Sequence, residues 1–338
     1  MKKIRVAING FGRIGRAFFR QAEESENIEV VAINDLSPAR DMAYLLKHDT
    51  VYGRAKFSVE VGEKKLIVNG RDVMLSEERD PALLPWKQHD IDIVLESTGV
   101  FNDYEKAGAH IKAGAKRVVI TAPATGASPQ GEMVLMGIND EKLKTCNVSS
   151  NASCTTNASG AVIAILDEAI GIEKAILSTT HGYTASQSLV DGFSKKDLRE
   201  GRAAAQNIVP SSTGAAKAVG KVYNKISGKF DGVSLRVPVP AGSIADITFI
   251  SKRPTTVEEV NDALRKAAKD VRWEGIYTAT DEELVSSDII GQPYGAIADL
   301  SMTRVVDGNL VKVLSWYDNE MGYVHTLLKH VTEAGKYL

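Results

Sequence analysis

Cysteine is nearly missing from this chain: there are two in 338 residues. Two thiols cannot build a disulfide framework, so a reducing compartment and a cytoplasmic protein are expected. Neither sign of charge is in excess. The 41 basic and 43 acidic residues leave a net charge of −2, which gives no indication of a nucleic-acid or membrane surface. No apolar run approaches the ~18 residues a membrane helix needs. The opening MKKIRVAINGFG has two lysines but only a short, interrupted apolar stretch and no small-residue cleavage site. It reads as a strand rather than a signal peptide. There is no internal repeat and no low-complexity segment.

What is present is an ordinary globular composition, 43% hydrophobic and 25% charged, in a chain long enough for two cores. Ile4 to Ile8 is a β-rich run ending at Asn9-Gly10, and Ile14, Ala17, Phe18 and Ala22 then recur at helical spacing. A second β-rich run, Ile28 to Ile33, ends in Asn34-Asp35, which completes a parallel βαβ pattern. Further strands are expected over Ile91 to Ser97 and Lys116 to Pro123. After Cys154 a helical pattern runs to Gly171. From about residue 172 the runs lengthen, as in a mixed or antiparallel sheet, and Thr256 to Asp270 reads as an amphipathic helix capped by Thr255 or Thr256. The last 20 residues read as another helix. The expected architecture is α/β: a Rossmann-type parallel-sheet domain over 1–153, then an α+β catalytic domain with a mixed or antiparallel sheet over 154–317. A C-terminal helix over 318–338 is expected to return to the first domain.

NGFGRIG supplies Gly10-x-Gly12-x-x-Gly15 between the first strand and the first helix. Glycines there allow a tight turn and bring backbone N–H groups and a helix N-terminus close to a pyrophosphate. Asp35 ends the second strand, 20 residues past Gly15, where an acid accepts from the ribose hydroxyls and repels a 2′-phosphate. NAD is therefore favoured over NADP, with Arg13 and Arg40 as the basic residues able to offset Asp35. GAAKAVGKV has a Gly-Lys ending but the wrong spacing for a P-loop, and Val222 stands where Ser or Thr is needed.

Cys154 lies in SNASCTTNA at the start of a helix, where the macrodipole and free N–H groups favour a thiolate. Cys146 has the surroundings of a structural cysteine. A nucleophilic thiol wants a base. Of six histidines, His181 in STTHGYT ends a β-rich run 27 residues after Cys154, and one helix and one returning strand could bring it back. His48, His89, His110, His325 and His330 read as surface or packing residues. Cys146 and Cys154 are eight apart and His325 and His330 five apart, so no metal site is expected. Nicotinamide and a thiol together suggest oxidation of an aldehyde through a thioester.

INGFGRIGR, VAINDL, ESTGVF, SNASCTTN, HGYT, RAAAQNIVPSSTGAAKAVGKV, RVPVP and SWYDNEMGY occur in the order and spacing of one family. Over nearly its whole length the chain resembles phosphorylating glyceraldehyde-3-phosphate dehydrogenase of the glycolytic type. The resemblance implies Cys154 as nucleophile and His181 as base. It implies Ser153, Thr155, Thr213, Gly214 and Arg236 around attacking inorganic phosphate, and Thr184, Arg199 and Arg236 around the phosphate of glyceraldehyde 3-phosphate. For the cofactor it implies Arg13 and Ile14, with the glycines Gly10, Gly12 and Gly15, at the pyrophosphate and Asp35 at the ribose. Arg79, Thr98, Gly99 and Thr121 are implied along the adenine side and the cleft, and Asn319 at the nicotinamide carboxamide. A homotetramer is implied, with the segment from about Tyr183 to Asn207 reaching a neighbour. Erythrose-4-phosphate dehydrogenase and an NADP-preferring enzyme are the alternatives within this chemistry.

The chain departs from the family pattern in places. Ala158 stands where many members have a second cysteine, which implies irreversible peroxide oxidation of Cys154. Glu200, Ser186 and Gly192-Phe193 differ near the substrate-phosphate and adenosine ends, and Met321 replaces a common tryptophan.

Overall fold

The structure is a computed structural model that describes residues 3–194 and 197–338. The chain divides into two compact units. One takes the residues up to Met136, Asp140–Ala152 and Leu327–Leu338; the other takes Gly137–Asn139 and Ser153–Thr326.

The first unit is built on a nine-stranded sheet. Its central strands Ile93–Glu96, Ile4–Asn9 and Ile28–Asn34 lie side by side and parallel. They are apolar and buried along most of their length, as strands covered on both faces must be. The helix Arg13–Ala22 follows the first strand after the glycine turn. The register sets Asn34, Asn9 and Glu96 in a row at the carboxyl ends of the three strands, the edge at which open α/β sheets carry ligands.

The expected strands are found, slightly shorter at Ile93–Glu96 and Arg117–Ile120. One edge is not parallel. Val59–Gly62, Lys65–Val68 and Arg71–Ser76 form an antiparallel meander beside Ile28–Asn34. Its second turn is Asn69-Gly70, with φ of 49° and 77°, the dipeptide a two-residue hairpin turn favours.

The second unit carries a seven-stranded, mostly antiparallel sheet. Ile172–Gly182 lies in its interior, parallel to Phe230–Val237 on one side and antiparallel to Ser243–Ser251 on the other. Ser243–Ser251 then pairs with Leu310–Tyr317. The helix Cys154–Ala169 is buried from Thr155 to Leu166. Its small residues (Ala158, Ser159, Gly160, Ala161) let it pack on this sheet between the helices Ala215–Val222 and Val257–Ala267. The cap of the latter is Thr256, whose hydroxyl accepts the Glu259 N–H at 3.2 Å. The C-terminal helix is Met321–Gly335, and residues from Leu327 onward belong to the first unit. Among the described residues, no helix is long and apolar enough to cross a membrane.

Candidate active site

Cys154 is the first residue of its helix because Ser153 caps it. The Ser153 backbone is extended, and its Oγ accepts the Thr156 N–H at 3.1 Å. Just before this cap, Ala152 holds a positive φ of 54°, the kind of local strain that accompanies functional turns.

His181 sits near the end of Ile172–Gly182, and Arg236 is its direct partner on the neighbouring parallel strand. Cys154 Sγ is 3.4 Å from His181 Nε2, and Arg236 Nη1 is 2.6 Å from His181 Nδ1. Nδ1 is also 2.6 Å from the Gly182 carbonyl. These two contacts ask opposite things of Nδ1. The carbonyl needs a proton there, which leaves Nε2 free to accept from the thiol. The guanidinium needs a lone pair there, which puts the ring proton on Nε2.

Burial lowers the proton affinity of His181, and the adjacent Arg236 charge lowers it further, to a pKa of about 3. Burial pushes the Cys154 thiol up, against the pull of the Arg236 charge and of hydrogen bonds from Thr155. Burial thus works against the thiolate expected at the helix start. His181 Nε2, at 3.4 Å, is the group placed to take the proton of the thiol.

Several residues that hold this pair together were not legible in the sequence. Tyr317 is fully buried, and its hydroxyl lies 2.9 Å from Thr155 Oγ1 and 2.7 Å from Thr179 Oγ1. It joins the helix of the nucleophile to the strand of the base. Its ring also meets that of His181 edge-on at 5.9 Å. Ser243 accepts the Gly182 N–H at 3.1 Å and donates to Asn319 Oδ1 at 2.9 Å. Asn319 is therefore held with its amide orientation fixed.

Direct contacts join Thr155, Cys154, His181 and Arg236 in this cluster, and Ser153 bonds to Thr156 as the helix cap. The other expected anion-site residues are engaged locally. Thr184 Oγ1 is 3.1 Å from Ser186 Oγ. Thr213 Oγ1 accepts the Ala215 N–H at 3.2 Å, and Gly214 stands exposed at the start of that helix. Arg199 pairs with Asp197 at 3.0 Å. Arg236 Nε is buried and has no hydrogen-bond partner among the described residues. An anion would supply one.

In the first unit a cleft of the kind dinucleotides occupy is lined by Gly10, Gly12, Asp35, Arg79 and Thr98. Gly10 has φ of 93°, and a Cβ there would lie 2.6 Å from the Thr98 nitrogen. A Cβ on Gly15 would lie 2.3 Å from the Gly10 carbonyl oxygen. Gly12 is different. A Cβ there meets nothing within 4 Å, so the bare backbone leaves room for a ligand rather than for the protein. Asp35 Oδ2 accepts the Phe11 N–H at 2.6 Å and Oδ1 accepts the Ser37 N–H at 2.8 Å. Asp35 therefore also holds the glycine turn. Arg13 turns its side chain to Asp49 and lies over the Tyr52 ring, which leaves the backbone of Arg13 and Ile14 at the helix start to face a pyrophosphate. Thr121 N–H donates to the Glu96 carbonyl at 3.0 Å. Of the histidines expected at the surface or in packing, His110 and His330 are fully buried with both ring nitrogens hydrogen-bonded.

Residues 4–104 match the family model of the glyceraldehyde 3-phosphate dehydrogenase NAD binding domain, and residues 153–319 match that of the C-terminal domain. A glyceraldehyde-3-phosphate dehydrogenase of Streptomyces coelicolor is 46% identical over 338 residues, covering 99% of each chain. Glyceraldehyde-3-phosphate dehydrogenase 2 of Bacillus subtilis is 46% identical over 340 residues, covering 99% of this chain and 98% of its own. Glyceraldehyde-3-phosphate dehydrogenase B of Aspergillus oryzae is 43% identical over 336 residues, covering 98% and 99%. The open backbone at Gly12, the thiol–imidazole pair and these matches agree: the chain belongs to the glyceraldehyde-3-phosphate dehydrogenase family, as an NAD-dependent dehydrogenase.

Proposed function

We propose that the chain catalyses oxidative phosphorylation of D-glyceraldehyde 3-phosphate to 1,3-bisphosphoglycerate, in glycolysis and gluconeogenesis. The path runs through a hemithioacetal and then a thioester on Cys154. The observation that carries this reading is the approach of Cys154 Sγ to His181 Nε2 at 3.4 Å, with Arg236 Nη1 on the far side of the ring at 2.6 Å. A thiol, a proton acceptor and a cation for an anionic substrate meet in one cluster.

His181, with its pKa lowered to about 3, is neutral at neutral pH. In the tautomer that gives the Nδ1 proton to the Gly182 carbonyl rather than a lone pair to Arg236, Nε2 accepts the thiol proton as the sulfur bonds to the aldehyde carbon. The same proton is then available to the hemithioacetal oxygen. Bound NAD supplies an acceptor for hydride. His181 takes up the hydroxyl proton as the carbon is oxidised, and a thioester remains on Cys154. Inorganic phosphate attacks the acyl carbon, and Cys154 leaves and regains its proton from His181. The Cys154 N–H at the helix start is suited to bind oxyanions at these steps.

Arg236, with its unpartnered Nε, serves both phosphates; Ser153, Thr155, Thr213 and Gly214 complete the site of the attacking phosphate. Thr184 and Arg199 complete that of the substrate, once the exposed Arg199 releases Asp197. Gly12, Arg13, Ile14, Asp35, Arg79, Thr98, Gly99 and Thr121 would hold NAD, and Asn319, its amide set by Ser243, would hold the carboxamide. Assembly as a homotetramer is supported by the segment 183–207, which exposes Leu189, Val190, Phe193 and Leu198, a concentration of apolar surface that suits an interface. The two free cysteines suit the cytoplasm.

The test is kcat/KM for glyceraldehyde 3-phosphate against erythrose 4-phosphate, each with NAD and NADP. Preference for glyceraldehyde 3-phosphate with NAD supports the reading. Preference for erythrose 4-phosphate would reassign the substrate, and preference for NADP would show that Asp35 does not exclude a 2′-phosphate.

A further inference from the structure

Beneath the dinucleotide cleft lie three side chains that take no part in the chemistry at Cys154: Glu96, His110 and Trp86, each at most 1% exposed. They end a line of polar groups whose direction is fixed from both sides. At one side the Glu78 N–H donates to Asn34 Oδ1 at 2.9 Å. Asn34 Nδ2 therefore faces Asn9 Oδ1, at 2.7 Å, and Asn9 Nδ2 faces Glu96 Oε2, at 2.6 Å. At the other side the Trp86 indole, which can only donate, gives its N–H to His110 Nδ1 at 2.9 Å. The ring proton of neutral His110 therefore sits on Nε2, which donates to Glu96 Oε2 at 2.9 Å. The other carboxylate oxygen accepts the Thr98 N–H at 2.9 Å and the Thr98 hydroxyl. Four donors thus meet the four acceptor positions of one carboxylate, and a buried network filled in this way has a single arrangement.

Asn9, Asn34, Glu78 and Thr98 line the cleft, whereas Glu96, His110 and Trp86 do not. We infer that His110 is a positioning residue for the dinucleotide: backed by Trp86, it holds the Glu96 carboxylate, which in turn sets the Thr98 turn and Asn9 against bound NAD. His110 acts through Glu96 and does not touch the cofactor. Its removal leaves the Trp86 N–H buried without an acceptor and Glu96 Oε2 one donor short. The turns relax, and the loss falls on NAD binding rather than on the thiol.

The experiment measures the KM for NAD, kcat at saturating NAD, and the calorimetric Kd for NAD alone, in the intact enzyme. His110→Phe and Glu96→Gln are expected to raise KM and Kd about tenfold or more, the scale of one orphaned buried donor. kcat is expected to stay within about twofold, the chemistry being untouched. His110→Gln keeps one acceptor and one donor and is expected to recover most of the affinity. Where the larger changes fail to fold, Trp86→Phe removes the indole donor, together with part of the buried ring, and is expected to raise KM severalfold. A KM for NAD unchanged in folded variants whose melting temperature has dropped would overturn the inference and leave the network a purely structural one.

Discussion

His181 and Arg236 are direct partners on adjacent parallel strands, and the guanidinium Nη1 lies 2.6 Å from the imidazole Nδ1. Burial keeps the ring neutral and the Arg236 charge adds to that, and the contact places the cation for an anionic substrate beside the base. Arg236→Gln is therefore expected to raise the KM for both glyceraldehyde 3-phosphate and inorganic phosphate by about tenfold or more, a charge-assisted hydrogen bond being worth ~1.5–3 kcal/mol. It is also expected to raise the His181 pKa, since a cause of its depression is gone. Initial rates with each substrate varied and the pH profile of kcat check both outcomes. Arg236→Lys keeps the charge without the fork and should recover only part of the binding.

Tyr317 ties Thr155 to Thr179 inside the second unit. Tyr317→Phe keeps the ring against His181 but leaves two buried hydroxyls without their shared partner. The expected cost is about 1–3 kcal/mol of stability, with kcat reduced and NAD affinity unchanged. Chemical denaturation and NAD titration test the two halves separately.

Gly10 and Gly12 stand two residues apart and respond oppositely. Gly12→Ala adds a Cβ to open space. Stability should hold within about 1 kcal/mol, the range of a cap-position change, while NAD binding weakens because the methyl group occupies the approach of the pyrophosphate. Gly10→Ala is strained by its φ of 93° and meets the Thr98 nitrogen at 2.6 Å. It should lower the melting temperature even without cofactor. Calorimetry with and without NAD distinguishes the two.

His330 is buried, with Nε2 at 2.7 Å from Ser149 Oγ and Nδ1 at 3.1 Å from Asn151 Oδ1. Burial lowers its pKa from 6.5 to about 3. The unfolded chain then binds a proton that the folded chain refuses. The stability this residue contributes is complete above its unfolded pKa and is lost as pH falls from there toward the folded value. By about pH 4 the loss is on the order of 3 kcal/mol, at ~1.36 kcal/mol per unit. His330→Gln should lower stability at pH 8 yet flatten the acid limb. Melting temperature against pH, compared with the parent, reads the difference in slope.

How much of this was written in the sequence varies by residue. Ser153, Cys154 and the helix that follows are local: a cap, a first turn and a buried run of small and apolar residues. The glycine turn and Asp35 are local in the same sense. Arg236 is not. Its neighbours read as an unremarkable strand, and only the pairing with the strand of His181 gives it a role, so the family resemblance alone pointed to it. Tyr317, Ser243 and the Trp86–His110–Glu96 line depend on partners from distant segments, and no periodicity announces them. The antiparallel edge of the first sheet is legible in Asn69-Gly70, a plain hairpin signal. The helix start that favours a thiolate at Cys154 is visible in sequence, whereas the burial that works against it is not.

The most direct test of the account is the rate of NAD reduction with glyceraldehyde 3-phosphate, with and without inorganic phosphate, in the parent, Cys154→Ser and His181→Asn. The account predicts phosphate-dependent turnover that Cys154→Ser abolishes. His181→Asn should reduce it by about 10²–10⁴, the range of general acid–base catalysis. Full turnover without phosphate, or its survival in Cys154→Ser, would contradict it, because the acyl group would then not leave a thioester on Cys154 by phosphate attack.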